Sequence, residues 1–194
     1  MGRTLVKARP GLRPSGADIL GRRDMMNITF KDWQISDAEK LAFIGNNCNI
    51  FNNMTDGFPN PYTVERAIIY ISNVHKNSNA CTKAIILNDI IIGNISVFYM
   101  DDIYKENGRL AYFLEEKYWG KGIMTTAISM FCKYVFSITM DIQRIFADPF
   151  ELNIGSRKVL EKCGFKLEGV LRKNVIKNSI RQNSYLYSLL RDEK

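Results

Sequence analysis

Tyr118 to Ala127 reads YWGKGIMTTA, with two glycines flanking a lysine directly after the apolar run RLAYFLE, Arg109 to Glu115. Residues at helical spacing follow: Ala127, Ile128, Phe131 and Val135 fall on one face of a helix expected from Met124 to Phe136. A strand that passes through Gly-x-Gly into a helix turns several unpaired backbone N–H groups, and the positive end of a helix dipole, toward one point. Such a point is an anion site, and phosphate suits it. A P-loop needs G-x-x-x-x-G-K-[ST], and here Gly122 follows Lys121 with no glycine five positions before it. The dinucleotide fingerprint needs a third glycine where Thr125 stands. Both nucleotide-binding readings therefore fall.

Upstream of the loop, CTKAIIL (Cys81 to Leu87), a tight turn at Asn88-Asp89, IIIGNISVFYM (Ile90 to Met100) and, after a break at DDIYKENG, Arg109 to Glu115 read as three strands in an antiparallel meander. Before them, Asn27 to Trp33 alternates like a half-buried strand, and Ser36-Asp37-Ala38-Glu39 opens a helix. A loop through DGFPNPYT (Asp56 to Thr63) then leads to a helix capped by Thr63 and running to about Val74. Downstream, Arg144 to Pro149 is a short strand and Asn153 to Gly164 a helix with a C-terminal glycine. Phe165 to Arg172 and Ser184 to Arg191 are the closing strands. The order β α α β β β α β α β β predicts a mixed α/β (α+β) fold. It comprises one mostly antiparallel sheet of six to seven strands with about four helices.

The net charge of +7 is unevenly placed. Residues 1–25 carry six basic and two acidic side chains, so this Arg/Gly/Pro-rich segment alone supplies +4, and the Asn/Ile/Lys-rich remainder +3. It lacks the apolar stretch of a signal peptide and reads as a non-native or disordered leader, with the domain spanning 26–194. Apart from the charge, nothing favours nucleic acid, because no aromatic and basic recognition motif appears. No apolar run approaches the roughly 18 residues of a membrane helix. Cys48, Cys81, Cys132 and Cys163 are scattered without a C-x-x-C pair, and the one histidine, His75, reads as a solvent-facing residue late in a helix. No metal site is expected, and reduced thiols fit a soluble cytoplasmic protein.

The pattern Lys117-Tyr118-Trp119-Gly120-Lys121-Gly122, then Asn153 and Ser156, then Glu161-Lys162 and Gly164-Phe165, resembles the GNAT family of N-acetyltransferases. It is most similar to the branch that acetylates ribosomal-protein N-termini, as are DGFPNPYT and FKLEGVLRK. The resemblance runs from about Asn27 to Arg191. It implies that the backbone of Trp119, Gly120, Lys121, Gly122, Ile123, Met124 and Thr125 holds the pyrophosphate of acetyl-CoA. It further implies that the preceding strand is bent by a bulge and that its backbone at Tyr112, Phe113 and Leu114 pairs with the pantetheine arm. Asn153 would contact that arm, and Ser156 would stand near the sulfur.

Transfer from a thioester to an amine needs a neutral nucleophile, hydrogen bonds to a developing oxyanion, and a proton for the leaving sulfur. Within the resemblance, Ser156 is the candidate for the last role and the Leu114 N–H for the oxyanion. The chain also departs from the family's commoner pattern. Leu160 stands where many relatives have a tyrosine, and Arg109 where many have a glutamate. Glu168, Glu106, Asp101 or water are left as bases. Plainer readings stand beside these: a strand-to-helix turn at Gly120 and Gly122, a helix cap at Asn153, a mid-helix serine at Ser156. The expected activity is direct acetyl transfer from acetyl-CoA to a primary amine, on a protein N-terminus or a small molecule, by a monomer or homodimer. A non-catalytic acyl-CoA sensor is the rival.

Overall fold

Twelve principal elements follow one another along residues 27–193, the part of the chain that the computed structural model describes. They are β1 (Ile28–Lys31), α1 (Ala38–Gly45), α2 (Cys48–Phe51), α3 (Val64–Lys76), β2 (Ala80–Leu87), β3 (Ile90–Tyr99), β4 (Asn107–Leu114), α4 (Ile123–Ile138), β5 (Arg144–Ala147), α5 (Ile154–Lys162), β6 (Lys166–Lys177) and β7 (Ile180–Leu190). The expected leader, 1–25, lies outside the described residues, as do Met26 and Lys194. The seven strands form one sheet in the order β1-β2-β3-β4-β5-β7-β6. Every neighbouring pair is antiparallel except β4 with β5.

Alternation along the strands sorts two cores to the two faces. Ile95 and Val97 of β3, with Leu110 and Leu114 of β4, join Ile123, Ile128, Phe131 and Val135 of α4 and Leu160 of α5 in one cluster. Phe113 of β4 joins Leu41, Ala42, Ala67 and Ile71 of α1 and α3 in the other. Beneath α3 the sheet carries buried polar groups that are mutually satisfied: Trp33 Nε1 donates to Asn94 Oδ1 at 2.8 Å, and Thr82 Oγ1 to Ser96 Oγ at 3.0 Å.

Three elements differ from the sequence expectation. The stretch after α1 holds an extra single-turn helix, α2, capped by Asn47, whose side chain accepts from Asn49 N and Ile50 N. The last two strands are longer than expected and form a hairpin whose tip, Asn178-Ser179, has positive φ at both residues, as a two-residue type I′ turn requires. The anticipated bulge in the strand before the glycine loop is absent. The β3–β4 register runs unbroken from Tyr99↔Gly108 to Gly93↔Leu114, and the shifts fall in β2–β3 and β6–β7. Gly93 permits this tight pairing, since a Cβ there would stand 2.4 Å from the Phe113 carbonyl oxygen.

Candidate active site

The parallel pair supplies the opening. β4 and β5 are in register only over Asn107↔Arg144, Gly108↔Ile145 and Arg109↔Phe146. Beyond Ala147 the chain stays with β7: Tyr185 N–H donates to the Pro149 carbonyl, and Glu151 N–H to that of Asn183. Among the described residues the second half of β4 therefore has no strand neighbour on this side, and a wedge opens at the carboxyl ends of two parallel strands, where α/β sheets commonly bind ligands.

Which backbone groups face the wedge follows from the ladder. Glu115 N–H donates to the Ile92 carbonyl and Met100 N–H to that of Asn107, so odd-numbered residues of β4 point at β3 and even-numbered ones at β5. Tyr112 and Leu114 thus turn their peptide groups into the wedge. Phe113 does not join them: its peptide groups point at β3 and its ring is buried between the sheet and the α1/α3 layer. That expected contact is corrected by the pleat itself. The Leu114 carbonyl accepts from Trp119 Nε1 at 2.7 Å, so the indole closes the end of the wedge, and among the described residues no strand pairs with Leu114 on this side.

The glycine loop forms the wall above. Gly120 and Gly122 adopt φ of +72° and +76°, and a Cβ on either would meet nothing within 4 Å. The loop is therefore an open cradle in a backbone conformation that suits glycine. Gly122 is the N-cap of α4; Thr126 N–H returns to its carbonyl. The N–H groups of Ile123, Met124 and Thr125 begin the helix without intrahelical acceptors. Lys121 and Trp119 are exposed beside them, whereas the Ile123 and Met124 side chains are buried, so these two offer only backbone. Glu115, buried at the strand exit, is bound by Lys40 and Lys117. Burial raises its pKa, but the hydrogen bonds and charges of the two lysines outweigh this and hold it below the ordinary value. Glu116 is held by Asn47 and Asn49. The loop thus starts from a fixed base.

The opposite wall is the start of α5. Asn153 is its N-cap, with Oδ1 accepting from Ser156 N at 3.1 Å. Ser156 Oγ lies 2.7 Å from the Tyr112 hydroxyl, and burial pushes that phenol well above its ordinary pKa. Leu160 is fully buried in the α4/α5 core. The structure therefore gathers Tyr112, Leu114, Trp119 to Thr125, Asn153 and Ser156 around one wedge.

It does not gather the carboxylates expected as bases. Glu106 and Asp101 precede β4, and eight residues of strand, roughly 27 Å, separate Glu106 from Leu114. Glu168 is bonded by Arg144 and Ser188, and the Arg144 guanidinium foremost holds its carboxyl below the ordinary range. Arg109 makes a two-pronged bond to Asp148, Nε to Oδ1 at 2.9 Å and Nη2 to Oδ2 at 3.0 Å. Asp148, one residue beyond β5, is thus a carboxylate at the root of the wedge. Nothing in its sequence context, ADPF, distinguishes it from a turn residue. Among the described residues no group of acidic, cysteine or histidine side chains is arranged to hold a metal.

Comparison with known proteins agrees with this geometry. Residues 27–166 match the family model described as the acetyltransferase (GNAT) domain. The probable N-acetyltransferase YjcK of Bacillus subtilis (strain 168) is 36% identical over 103 residues, covering 53% of this chain and 56% of that protein, so the match spans about half of each. The crystal structure of the microcin C7 self-immunity acetyltransferase MccE, in complex with acetyl-CoA and AMP, is similar at TM-score 0.73 and 27% identity, covering 84% of this chain and 92% of that one. Mycobacterium smegmatis RimJ, in complex with CoA-disulfide, shares the fold at TM-score 0.76 and 18% identity, covering 86% and 83%.

Proposed function

The chain belongs to the GNAT acetyltransferase family, and on that premise we propose that it transfers the acetyl group of acetyl-CoA to a primary amine, on a protein N-terminus or a small molecule. The observation that carries the reading is the coincidence, at the β4/β5 wedge, of a Gly-x-Gly cradle in left-handed conformation with two peptide groups left unpaired by the sheet. The cradle and the free N–H groups of Ile123, Met124 and Thr125 suit a pyrophosphate. The peptide edge at Tyr112 and Leu114 suits the amide-bearing arm.

When bound, acetyl-CoA supplies a thioester whose C–S bond breaks as the amine nitrogen bonds to the acetyl carbon, and the sulfur ends as a thiol. The residues of this chain do the rest. Leu114 N–H, aimed into the wedge, is the donor for negative charge developing on the acyl oxygen. Ser156 Oγ donates a hydrogen bond to the leaving thiolate, and the proton shed by the amine nitrogen returns through water to make it the thiol. Trp119 closes the wedge against water, and the two walls fix the approach of the amine. Asp148 at the wedge root is held by Arg109 in a two-pronged bond, so water is the carrier for the amine's proton. We also place the protein in the cytoplasm, on its scattered cysteines and its donor. Among the described residues no helix is long and apolar enough to cross a membrane.

Leu160 and Arg109 keep a second reading in view, a domain that binds acyl-CoA without turnover. Thiol release from acetyl-CoA, followed over a panel of N-terminal peptides, polyamines and amino-sugars, separates the two. Release with at least one acceptor class supports transfer. Tight acetyl-CoA binding with no release across the panel supports the sensor.

A further inference from the structure

We infer that Tyr112 is a positioning residue for this reaction: its buried phenol donates to Ser156 Oγ and so leaves the serine's own hydrogen directed at the sulfur. The inference rests on the role proposed above for Ser156. It begins from hydrogen-bond accounting. A serine hydroxyl has one donor and two lone pairs, and a neutral phenol one donor. At 2.7 Å, Tyr112 Oη and Ser156 Oγ are at the optimal distance for one O–H···O bond, and only one of the two hydrogens lies in it. The phenol's other acceptor, the Ser156 carbonyl, stands at 3.5 Å, the outer limit of a bond. Its strong acceptor is Oγ.

Two features support donation from the tyrosine, although the 2.7 Å contact itself allows either hydroxyl to be the donor. Burial holds Tyr112 in its protonated form across the neutral range, so it is a constant donor. Ser156 lies in the first turn of α5, where no helical turn precedes it to offer its hydroxyl a carbonyl, and the Oγ bond runs to the tyrosine. With Tyr112 donating, Oγ gains electron demand and its hydrogen stays available. The pair also ties β4 to α5 across the wedge, joining residues 44 positions apart. Leu160 in the apolar core offers no hydroxyl from the helix itself, so the second hydroxyl comes from the strand. Tyr112 keeps its proton throughout and forms no covalent bond.

A double-mutant cycle tests this. Tyr112→Phe should lower kcat roughly tenfold or more while leaving the acetyl-CoA Kd within about twofold, and Ser156→Ala should lower kcat further. The double variant should be no slower than Ser156→Ala. A readout apart from turnover is the pH dependence of CoA affinity relative to desulfo-CoA. It reports the pKa of the bound thiol, which both single variants should raise. Independent, multiplying losses would overturn the inference while leaving Ser156 in its role; an inert Ser156→Ala would remove that role and the inference with it. Where Tyr112→Phe fails to fold, fluorotyrosine at position 112 keeps the ring and hydroxyl but makes the phenol more acidic. As a stronger donor to Oγ it should lower the pKa of the bound CoA thiol below the parent's, and an unmoved value overturns the inference.

Discussion

At the residue scale the account turns on Gly122. Its φ of +76° is one that an L side chain adopts at a cost of about 1–2 kcal/mol, and its Cβ position is open space above the amides of α4. Gly122→Val therefore introduces strain and fills the cradle without striking the core. Acetyl-CoA binding should weaken at least tenfold, which corresponds to about 1.4 kcal/mol, with a fall in melting temperature of about 2–8 °C from the strain alone. Titration calorimetry on the two proteins checks it, and equal affinities would move the phosphate site elsewhere. Trp119 offers a second check. Trp119→Phe keeps the ring but frees the Leu114 carbonyl, a loss of about 1 kcal/mol. The expected signature is a fall in kcat larger than the change in acetyl-CoA affinity.

At the element scale the hairpin of β6 and β7 is docked on α2 and the loop that follows it. Lys177, 3% exposed, reaches Asp56 at 2.9 Å and lies 3.6 Å over the Phe51 ring, and Asn178 bonds Asn52. Asp56 itself is 80% exposed, so the pair is screened and worth about 1 kcal/mol. Asp56→Ala should cost that much in urea unfolding and loosen the hairpin tip, seen as faster amide exchange at Ile176 to Arg181. These contacts explain what the sequence withheld. The glycine loop, the meander and the α4 stripe are written in local chemistry and were legible. The α2 turn hides in an Asn-rich stretch one turn long, and the hairpin turn uses Asn-Ser where Asn-Gly is the stronger signal. Pairings such as Tyr112 with Ser156 and Arg109 with Asp148 exist only once β4, β5 and α5 have converged. No spacing along the chain encodes them.

At the scale of the whole molecule, several carboxylates are held below their ordinary pKa, Glu168 by Arg144 and Glu193 by Lys166 foremost. A depressed folded-state value means the unfolded chain takes up protons first as pH falls. The stabilisation from these groups is therefore complete above about pH 4.3, the unfolded value, and is lost as pH falls through the lower folded values. The urea midpoint should be flat from about pH 8 to pH 5 and decline below that. Glu168→Gln should start lower at neutral pH and decline less steeply. A parent midpoint that rises on acidification would contradict the assignment.

The central claim is that one wedge, between β4 and the start of α5 and roofed by the glycine loop, holds acetyl-CoA. Residue-resolved amide exchange with and without acetyl-CoA tests it most directly. The account predicts slowed exchange at Tyr112, Leu114 and the amides from Gly120 to Thr125, with the far end of the sheet unchanged. Protection centred instead on the separate groove lined by Asp32, His75, Lys83 and Tyr134, with the glycine loop exchanging as before, would contradict it.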